Sequence, residues 1–431
     1  MPQPSTAAGC VRLFGRRAAV QVGSDGIFSM LLTKCASCAA PLGLTSGKKC
    51  GRCATRYCGP ACQKKHWEEG GHDQLCKKIK RYGGAEQFYA NTKYTEAVAV
   101  AVEACRGRHE GQKCYICLEA VHPRTGEGLV RGCACGDRDG VSSPELGVAH
   151  VTCLARQAKG LVEEADENKF GREAWYHRWE RWFRCSLCER QYHGHVYCAL
   201  GWACWKTYVG RPDVDVARMS AMRQLGNGLS SAGHHEDALS VYEAELSLTR
   251  HLGGSEEDIL IVQSNIASLY IDIGRRKQAL VMRRDVYSGY LKLLGEEHGT
   301  TLMVSYNYAD SLVNLKHFEE AKPLLHKIMP LAQRVLGESH DTTLRMKWTY
   351  ADALYTDPSA TIDDLREAVA TLEETARTAG RVLGGAHPLT EGIEESLWES
   401  RAVEARREAM LADGGVSFIR EAMEAMTSGT A

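Results

Sequence analysis

No stretch of about 18 apolar residues occurs anywhere in the chain, so no segment is long enough to cross a bilayer as a helix. The longest run, Val196 to Trp205, has ten residues and suits a short buried segment. An excess of charge of one sign is also missing. The formal net charge of −1 gives no global field for nucleic acid or an anionic membrane. His-Glu-x-x-His and Gly-x-Ser-x-Gly are absent, which removes the usual zinc-protease and serine-hydrolase signatures. Gly43-Leu-Thr-Ser-Gly47-Lys48 is one residue short of a phosphate loop and lacks the Ser or Thr after the lysine. Gly226-Asn-Gly228 falls in a helical repeat, not at a strand–helix junction. Cysteine stops at Cys204, leaving the second half of the chain without any.

The cysteines that are present carry the strongest pattern. Of 18, only Cys10, Cys105, Cys198 and Cys204 stand outside two successive eight-ligand series. The first series is Cys35-x2-Cys38, Cys50-x2-Cys53, Cys58-x3-Cys62 and His72-x3-Cys76. The second is Cys114-x2-Cys117, Cys133-x-Cys135, His150-x2-Cys153 and Cys185-x2-Cys188. Sixteen donors fill four tetrahedral Zn2+ sites, two per series, with none left over. A disulfide framework belongs in a short chain behind a signal peptide, and neither condition holds. Thiols kept as zinc thiolates imply a reducing, intracellular setting, cytoplasmic or nuclear.

At 431 residues the chain exceeds what one core usually supports, and several domains are expected. Residues 1–33 carry Arg12, Arg16 and Arg17 with a single acid, Asp25, a composition compatible with a transit peptide but read here as a flexible tail. A first zinc module occupies 34–77, a helical linker 78–109 and a second zinc module with a trailing helix 110–210. The linker stretch 85–105 lacks Gly and Pro and predicts a helix. Repeats fill 213–390, and capping helices with a tail follow over 391–431. Leu252-Gly253, Leu294-Gly295 and Leu336-Gly337 recur 42 residues apart, and Leu383-Gly384 follows after 47, the excess lying around Asp357-Pro358-Ser359. Two helices per period make a solenoid in which each pair buries its apolar face on the next. Charged closing helices over about 388–425 suit a solvent-facing cap. The fold class is therefore two small zinc-stabilised cross-brace modules followed by an all-α solenoid.

These repeats resemble tetratricopeptide repeats of the kinesin-light-chain variety, with LGEEH and LGESH in the connecting loops. The first module resembles a MYND zinc finger, down to the run Tyr57-Cys58-Gly59-Pro60-Ala61-Cys62-Gln63-Lys64-Lys65-His66-Trp67. The resemblance implies interleaved ligands: Cys35, Cys38, Cys58 and Cys62 on one ion, and Cys50, Cys53, His72 and Cys76 on the other. His66 occupies a position that is not a ligand in that family. MYND fingers are protein-interaction modules that take short proline-containing peptides, which implies peptide or protein partners. The MYND group with a methyltransferase SET domain is a poor match, since zinc modules and repeats leave no room for that fold. Lys48, Lys49, Arg52, Arg56, Lys64 and Lys65 are read as a solvated face offsetting thiolate charge.

The second module is similar to RING-CH fingers in ligand order and in Cys114-Tyr-Ile-Cys117-Leu-Glu. PHD fingers share the order but keep a shorter gap before the histidine, whereas fourteen residues separate Cys135 from His150 here. The 31 residues between Cys153 and Cys185 are read as an insertion holding a helix from about Leu154. The resemblance implies Cys114, Cys117, His150 and Cys153 on one ion and Cys133, Cys135, Cys185 and Cys188 on the other. It also implies E3 ubiquitin-ligase activity, with a ubiquitin-charged E2 docking on Ile116, Trp182 and Leu187. Glu189 departs from the basic residue that often follows the last cysteine. His195 to Tyr208 reads as a helix packing the module on the first repeat, with Cys198 and Cys204 as buried thiols. Three functions are expected in turn: an E3 ligase or ligase subunit, a non-catalytic scaffold, and a PHD-like reader of histone tails.

Overall fold

A computed structural model of the chain describes residues 34–40, 42, 47–109, 111–133, 135, 147–385 and 387–428, with side chains as far as 411. The tail 1–33 and loop positions 136–146 lie outside the described residues. The chain divides into two compact units, one ending at Ile273 and the other running from Gly274. Among the described residues no helix is long and apolar enough to cross a membrane.

The first unit starts with a two-stranded antiparallel sheet, β1 (Lys48–Lys49) and β2 (Arg56–Tyr57), with Lys48 opposite Tyr57. Helix α1 (Pro60–Glu68) follows, and its proline at the first turn supplies a preset φ where no intrahelical N–H bond is needed. Helix α2 (His72–Arg81) and helix α3 (Ala85–Ala104) complete this end. Among the described residues the buried core here is Ala36, Leu42, Tyr57, Ile79 and Ala85 with the cysteines, too little apolar area to hold the fold without staples.

Helices α4 (Val151–Glu167), α5 (Arg172–Trp179) and α6 (Gly194–Tyr208) belong to the second module, with a 3-10 turn at Glu180–Trp182. The apolar run Val196 to Trp205 is buried throughout within α6. That helix packs on α3, on α4 and along α7 (Val216–Ser231), the first repeat helix. Two glycines permit the α6–α7 approach. A Cβ on Gly201 would meet the Gln224 carbonyl oxygen at 3.1 Å, and one on Gly228 the Tyr197 carbonyl oxygen at 2.8 Å. Cys198 and Cys204 are buried, and burial pushes the Cys198 thiol up to about 12. Helices α8 (His235–His251) and α9 (Glu256–Asp272) stack in order to finish the unit.

The second unit contains α10 (Arg276–Leu294), α11 (Gly299–Asn314), α12 (Phe318–Leu336), α13 (Asp341–Tyr355), α14 (Ile362–Leu383) and α15 (Pro388–Ser428). Each packs on the next, and α11 and α15 both touch α13, which is the layering of a tetratricopeptide-like solenoid. Ala309, Ala321, Ala351 and Ala368 are fully buried at these contacts, small enough to bring helix axes close. The Leu-Gly pairs end helices: Gly295, Gly337 and Gly384 cap α10, α12 and α14 at φ of 78, 100 and 90°. The histidine of each following loop starts the next helix. His298 and His340 accept the backbone N–H of Thr300 and Thr342 on ring Nδ1, each at 3.2 Å. The LGEEH and LGESH strings are thus a helix stop and a helix start placed back to back. One expectation needs correction: the closing segment is the single helix α15, not several. No proline follows Pro388, and internal glycine costs only about 1 kcal/mol each, too little to end a helix.

Candidate metal centres

The sixteen sequence-selected donors gather into four groups of four, each with all its sulfur and ring-nitrogen atoms within 4.8 Å of one another. The groups are Cys35, Cys38, Cys58, Cys62; Cys50, Cys53, His72, Cys76; Cys114, Cys117, His150, Cys153; and Cys133, Cys135, Cys185, Cys188. In both modules each local pair of donors stays together and successive pairs alternate between the two groups, so each module's two groups interleave four separated stretches.

Separations within the groups suit a shared ion. Cys38 and Cys58 sulfurs lie 3.6 Å apart, Cys50 and Cys76 3.8 Å, and Cys135 and Cys185 3.6 Å. Cys53 Sγ lies 3.4 Å from His72 Nε2, and Cys117 Sγ 3.4 Å from His150 Nδ1. A tetrahedral zinc with bonds of about 2.3 Å to sulfur holds its sulfurs about 3.8 Å apart. A disulfide needs about 2.05 Å, and the described cysteines are all free.

Local backbone explains why the Cys-x2-Cys pairs converge. In all four, the residue after the second cysteine is left-handed: Ala39, Ala54, Leu118 and Glu189, at φ of 56, 62, 64 and 58°. Its N–H donates to the carbonyl of the first cysteine at 2.8–3.0 Å. The first cysteine's own N–H donates to the carbonyl of the residue five further on, again in all four. An identical knuckle therefore recurs in both modules. A non-glycine residue in this region costs roughly 1–2 kcal/mol, which a bound ion offsets many times over.

The same turn aims amides at sulfur. Ile116 N–H points at Cys114 Sγ and Leu187 N–H at Cys185 Sγ, each at 3.4 Å. Burial pushes the Cys35 thiol up, but the amides of Cys58, Cys38 and Ser37 outweigh it and bring it to about 6. Cys185 falls to about 4, first through a hydrogen bond from Cys133, then through the Cys188 and Leu187 amides working against burial. These knuckles favour thiolate, the form a metal needs.

Two histidines beside donor rings, His66 next to His72 and His122 next to His150, stand outside the groups. His66 is buried with Nδ1 3.0 Å from Tyr57 Oη, and its ring stacks on His72 at 5.1 Å. Burial holds its pKa below the ordinary value, so it supports the ligand ring as a neutral partner. His122 is buried against Thr125, with Nδ1 2.9 Å from the hydroxyl.

The proposed docking residues are placed unequally. Tyr115 Oη lies 3.2 Å from Ser186 Oγ, which sets the knuckle loops around Ile116 and Leu187 side by side. Ile116 is half-buried and Leu187 is 44% exposed. Trp182 is fully buried among Trp179 and Tyr208 and offers no surface, because its ring completes the aromatic cluster under α6. Arg56 also departs from the expected solvated basic face: it is buried on β2, and burial lowers its pKa against the pull of Glu86.

Gly147 was invisible as a site residue in the sequence. It sits at φ 78°, where a Cβ would meet Cys135 Cβ at 2.6 Å and Cys133 Sγ at 3.1 Å. Only spatial proximity reveals it, since a glycine among loop residues carries no spacing signal.

Set beside known proteins, the MYND finger family model matches residues 35–76. Those residues are a MYND finger. No curated protein matches the chain. Two solved structures of a Podosopora anserina kinesin light chain with nearly identical TPR-like repeats are similar, at 20 and 21% identity. They cover 48 and 49% of this chain and 96% of theirs, each with a TM-score of 0.38. BtubC from P. vanneervenii is similar at 18% identity, over 63% of this chain and 92% of its own, also at a TM-score of 0.38. With a MYND finger, further Cys/His clusters and tetratricopeptide-like helices, the chain has the parts of a zinc-binding protein-interaction protein.

Proposed function

We propose that the chain is a scaffold in which four zinc ions, two per N-terminal module, act as folding staples, while module faces and helical repeats hold partner proteins. The carrying observation is donor count. Each group has four Cys or His donors, and a tetrahedral ion with four protein ligands has no open position for water or substrate. The metal's role is then to organise small modules, each ion supplying about 10–16 kcal/mol of apparent binding energy that acts as folding energy. Surfaces carry the function, with the MYND finger suited to short proline-containing peptides by its family resemblance. Elemental assay of the purified protein tests the ions: four equivalents support the reading, and two or fewer overturn the second module's part. Peptide arrays rich in proline test the finger, with binding expected to vanish on chelation.

One observation favours a second reading of the second module. The Tyr115–Ser186 contact sets Ile116 and Leu187 on neighbouring loops, as the E2-docking side of a RING-CH-like finger requires. In that reading the module contributes no nucleophile and accelerates ubiquitin transfer by positioning the charged E2. Autoubiquitination across a panel of E2 enzymes decides between the two. Inactivity of the zinc-loaded protein with every E2 leaves the scaffold. If activity is found, Ile116→Ala should lower it at least ~10-fold with zinc content unchanged.

A further inference from the structure

On the zinc-loaded reading of the MYND finger, we propose that its first donor group is a site of reversible oxidation. There hydrogen peroxide links Cys58 into a disulfide and one ion is freed. Two of the four groups are all cysteine and share one donor chemistry: Cys35, Cys38, Cys58, Cys62 and Cys133, Cys135, Cys185, Cys188. They differ in access. All four cysteines of the second set are buried, at 1–9% exposure. In the first set only Cys35 is buried, whereas Cys38 and Cys58 are exposed and Cys62 is half-buried. The two groups that contain histidine are closed as well, with Cys117 alone half-buried and every other donor residue buried.

Packing accounts for the difference. Cys133, Cys135, Cys185 and Cys188 belong to one apolar cluster with Tyr192, Val196 and Leu200. In the finger's second group, the rings of His66, Trp67 and Tyr57 stand 5.1, 5.7 and 6.1 Å from that of His72. Cys35 and Cys62 touch the finger's small core, but Cys38 and Cys58 lie outside it. A metal-bound thiolate is still a nucleophile, and its oxidation follows thiolate character and access together. Four thiolates on Zn2+ leave two net negative charges, against one where histidine replaces a cysteine. Charge therefore selects the two all-cysteine groups, and exposure selects one of them.

Cys58 has sulfur partners within reach, Cys38 Sγ at 3.6 Å and Cys62 Sγ at 3.2 Å. Its thiolate attacks one oxygen of the peroxide, the O–O bond breaks, and the departing hydroxide takes a proton to become water. The sulfenic acid so formed meets the Cys38 or Cys62 thiolate, which makes the S–S bond and expels a second hydroxide, also protonated to water. Two thiolates give up two electrons, and the peroxide accepts them. The group is left with two donors, half of what a structural zinc site needs. Cys50, Cys53, His72 and Cys76 keep all four, so the finger opens at one site and stays stapled at the other. A dithiol reductant, itself oxidised to a disulfide, returns both sulfurs.

The test uses the zinc-loaded full-length chain carrying Cys10→Ser, which removes the one thiol of the N-terminal tail. Elemental assay before oxidant reads the ion count, so that count and the order of release are separate results. Hydrogen peroxide is then titrated in the presence of a chromogenic zinc chelator, and remaining thiols are alkylated for peptide mass mapping. One equivalent should leave ~10-fold or more faster than the next, with Cys58 joined to Cys38 or Cys62. Dithiol and added zinc should restore the starting content. First release from any other group overturns the proposal, as does simultaneous loss of all ions or a first product in which Cys58 is in no disulfide. A starting count of two, held by the finger, would instead fail the second module's staples and leave the order readable between the finger's two groups.

Discussion

Gly147 approaches Cys133 and Cys135 more closely than any side chain permits, which ties one unremarkable loop position to a whole metal group. On the proposed four-ion reading, Gly147→Ala should therefore cost about one zinc equivalent by elemental assay, leaving the MYND finger loaded. His66 and His72 make the complementary pair, stacked rings of which only His72 joins a donor group. Ala at 72 should release metal from the first module, whereas Ala at 66 should keep it and lower stability by about 1–3 kcal/mol through lost packing. Asp352 offers a titration test in the solenoid. Burial pushes its carboxyl up to about 7, with Ser396 and Tyr355 hydrogen bonds working against that and Glu399 and Asp310 adding to it. A native pKa above the ordinary 3.8 means the folded state holds the proton more tightly than the unfolded one. The favourable contribution is complete below about pH 4, declines as pH rises towards 7 and is spent above it. Asp352→Asn should accordingly raise the unfolding free energy of these helices by about 2 kcal/mol at pH 8 and by little at pH 4.

At the scale of elements, the repeated loop and the α6–α7 crossing show different kinds of information. A loop that stops one helix with glycine and starts the next with histidine is local, and the 42-residue recurrence makes it readable from sequence. His340→Ala should remove one helix start and cost about 1 kcal/mol in urea unfolding. The crossing is not local. Gly201 and Gly228 belong to different helices, Gly201 lying against the Gln224–Leu225 backbone of α7 and Gly228 against the Tyr197–Cys198 backbone of α6. Gly228→Ala inserts a methyl where the nearest atom is a carbonyl oxygen at 2.8 Å, so about 1–3 kcal/mol should be lost even though alanine is the better helix former.

For the molecule as a whole, metal dependence should be confined to one end. All four donor groups lie between Cys35 and Cys188, and the helices from α10 onward contain no cysteine. Chelation should open the N-terminal modules to proteolysis while most far-UV helical signal survives, because α10–α15 bury their own apolar core. Loss of the helical signal in step with zinc would show that the repeats depend on the staples.

Much of this was legible along the chain because the chemistry is short-range or periodic. Cysteine spacing fixes which residues share a knuckle, since a sulfur three residues on is brought back to the same point by a single turn. A 42-residue recurrence of Leu-Gly sets the helix pairs, since each stop signal acts on its own helix. Contacts between distant segments left no such mark. Trp182 looked available and is interior, because what covers it comes from Trp179 and Tyr208 on other elements. Arg56 looked solvated and is buried on a strand, and Gly147 looked like filler and abuts a metal group. In each case part of the environment comes from another element, as with Tyr208 over Trp182 and Glu86 beside Arg56, and no spacing rule encodes that. Local geometry follows from composition and interval, whereas burial and close approach come into being only when the segments pack.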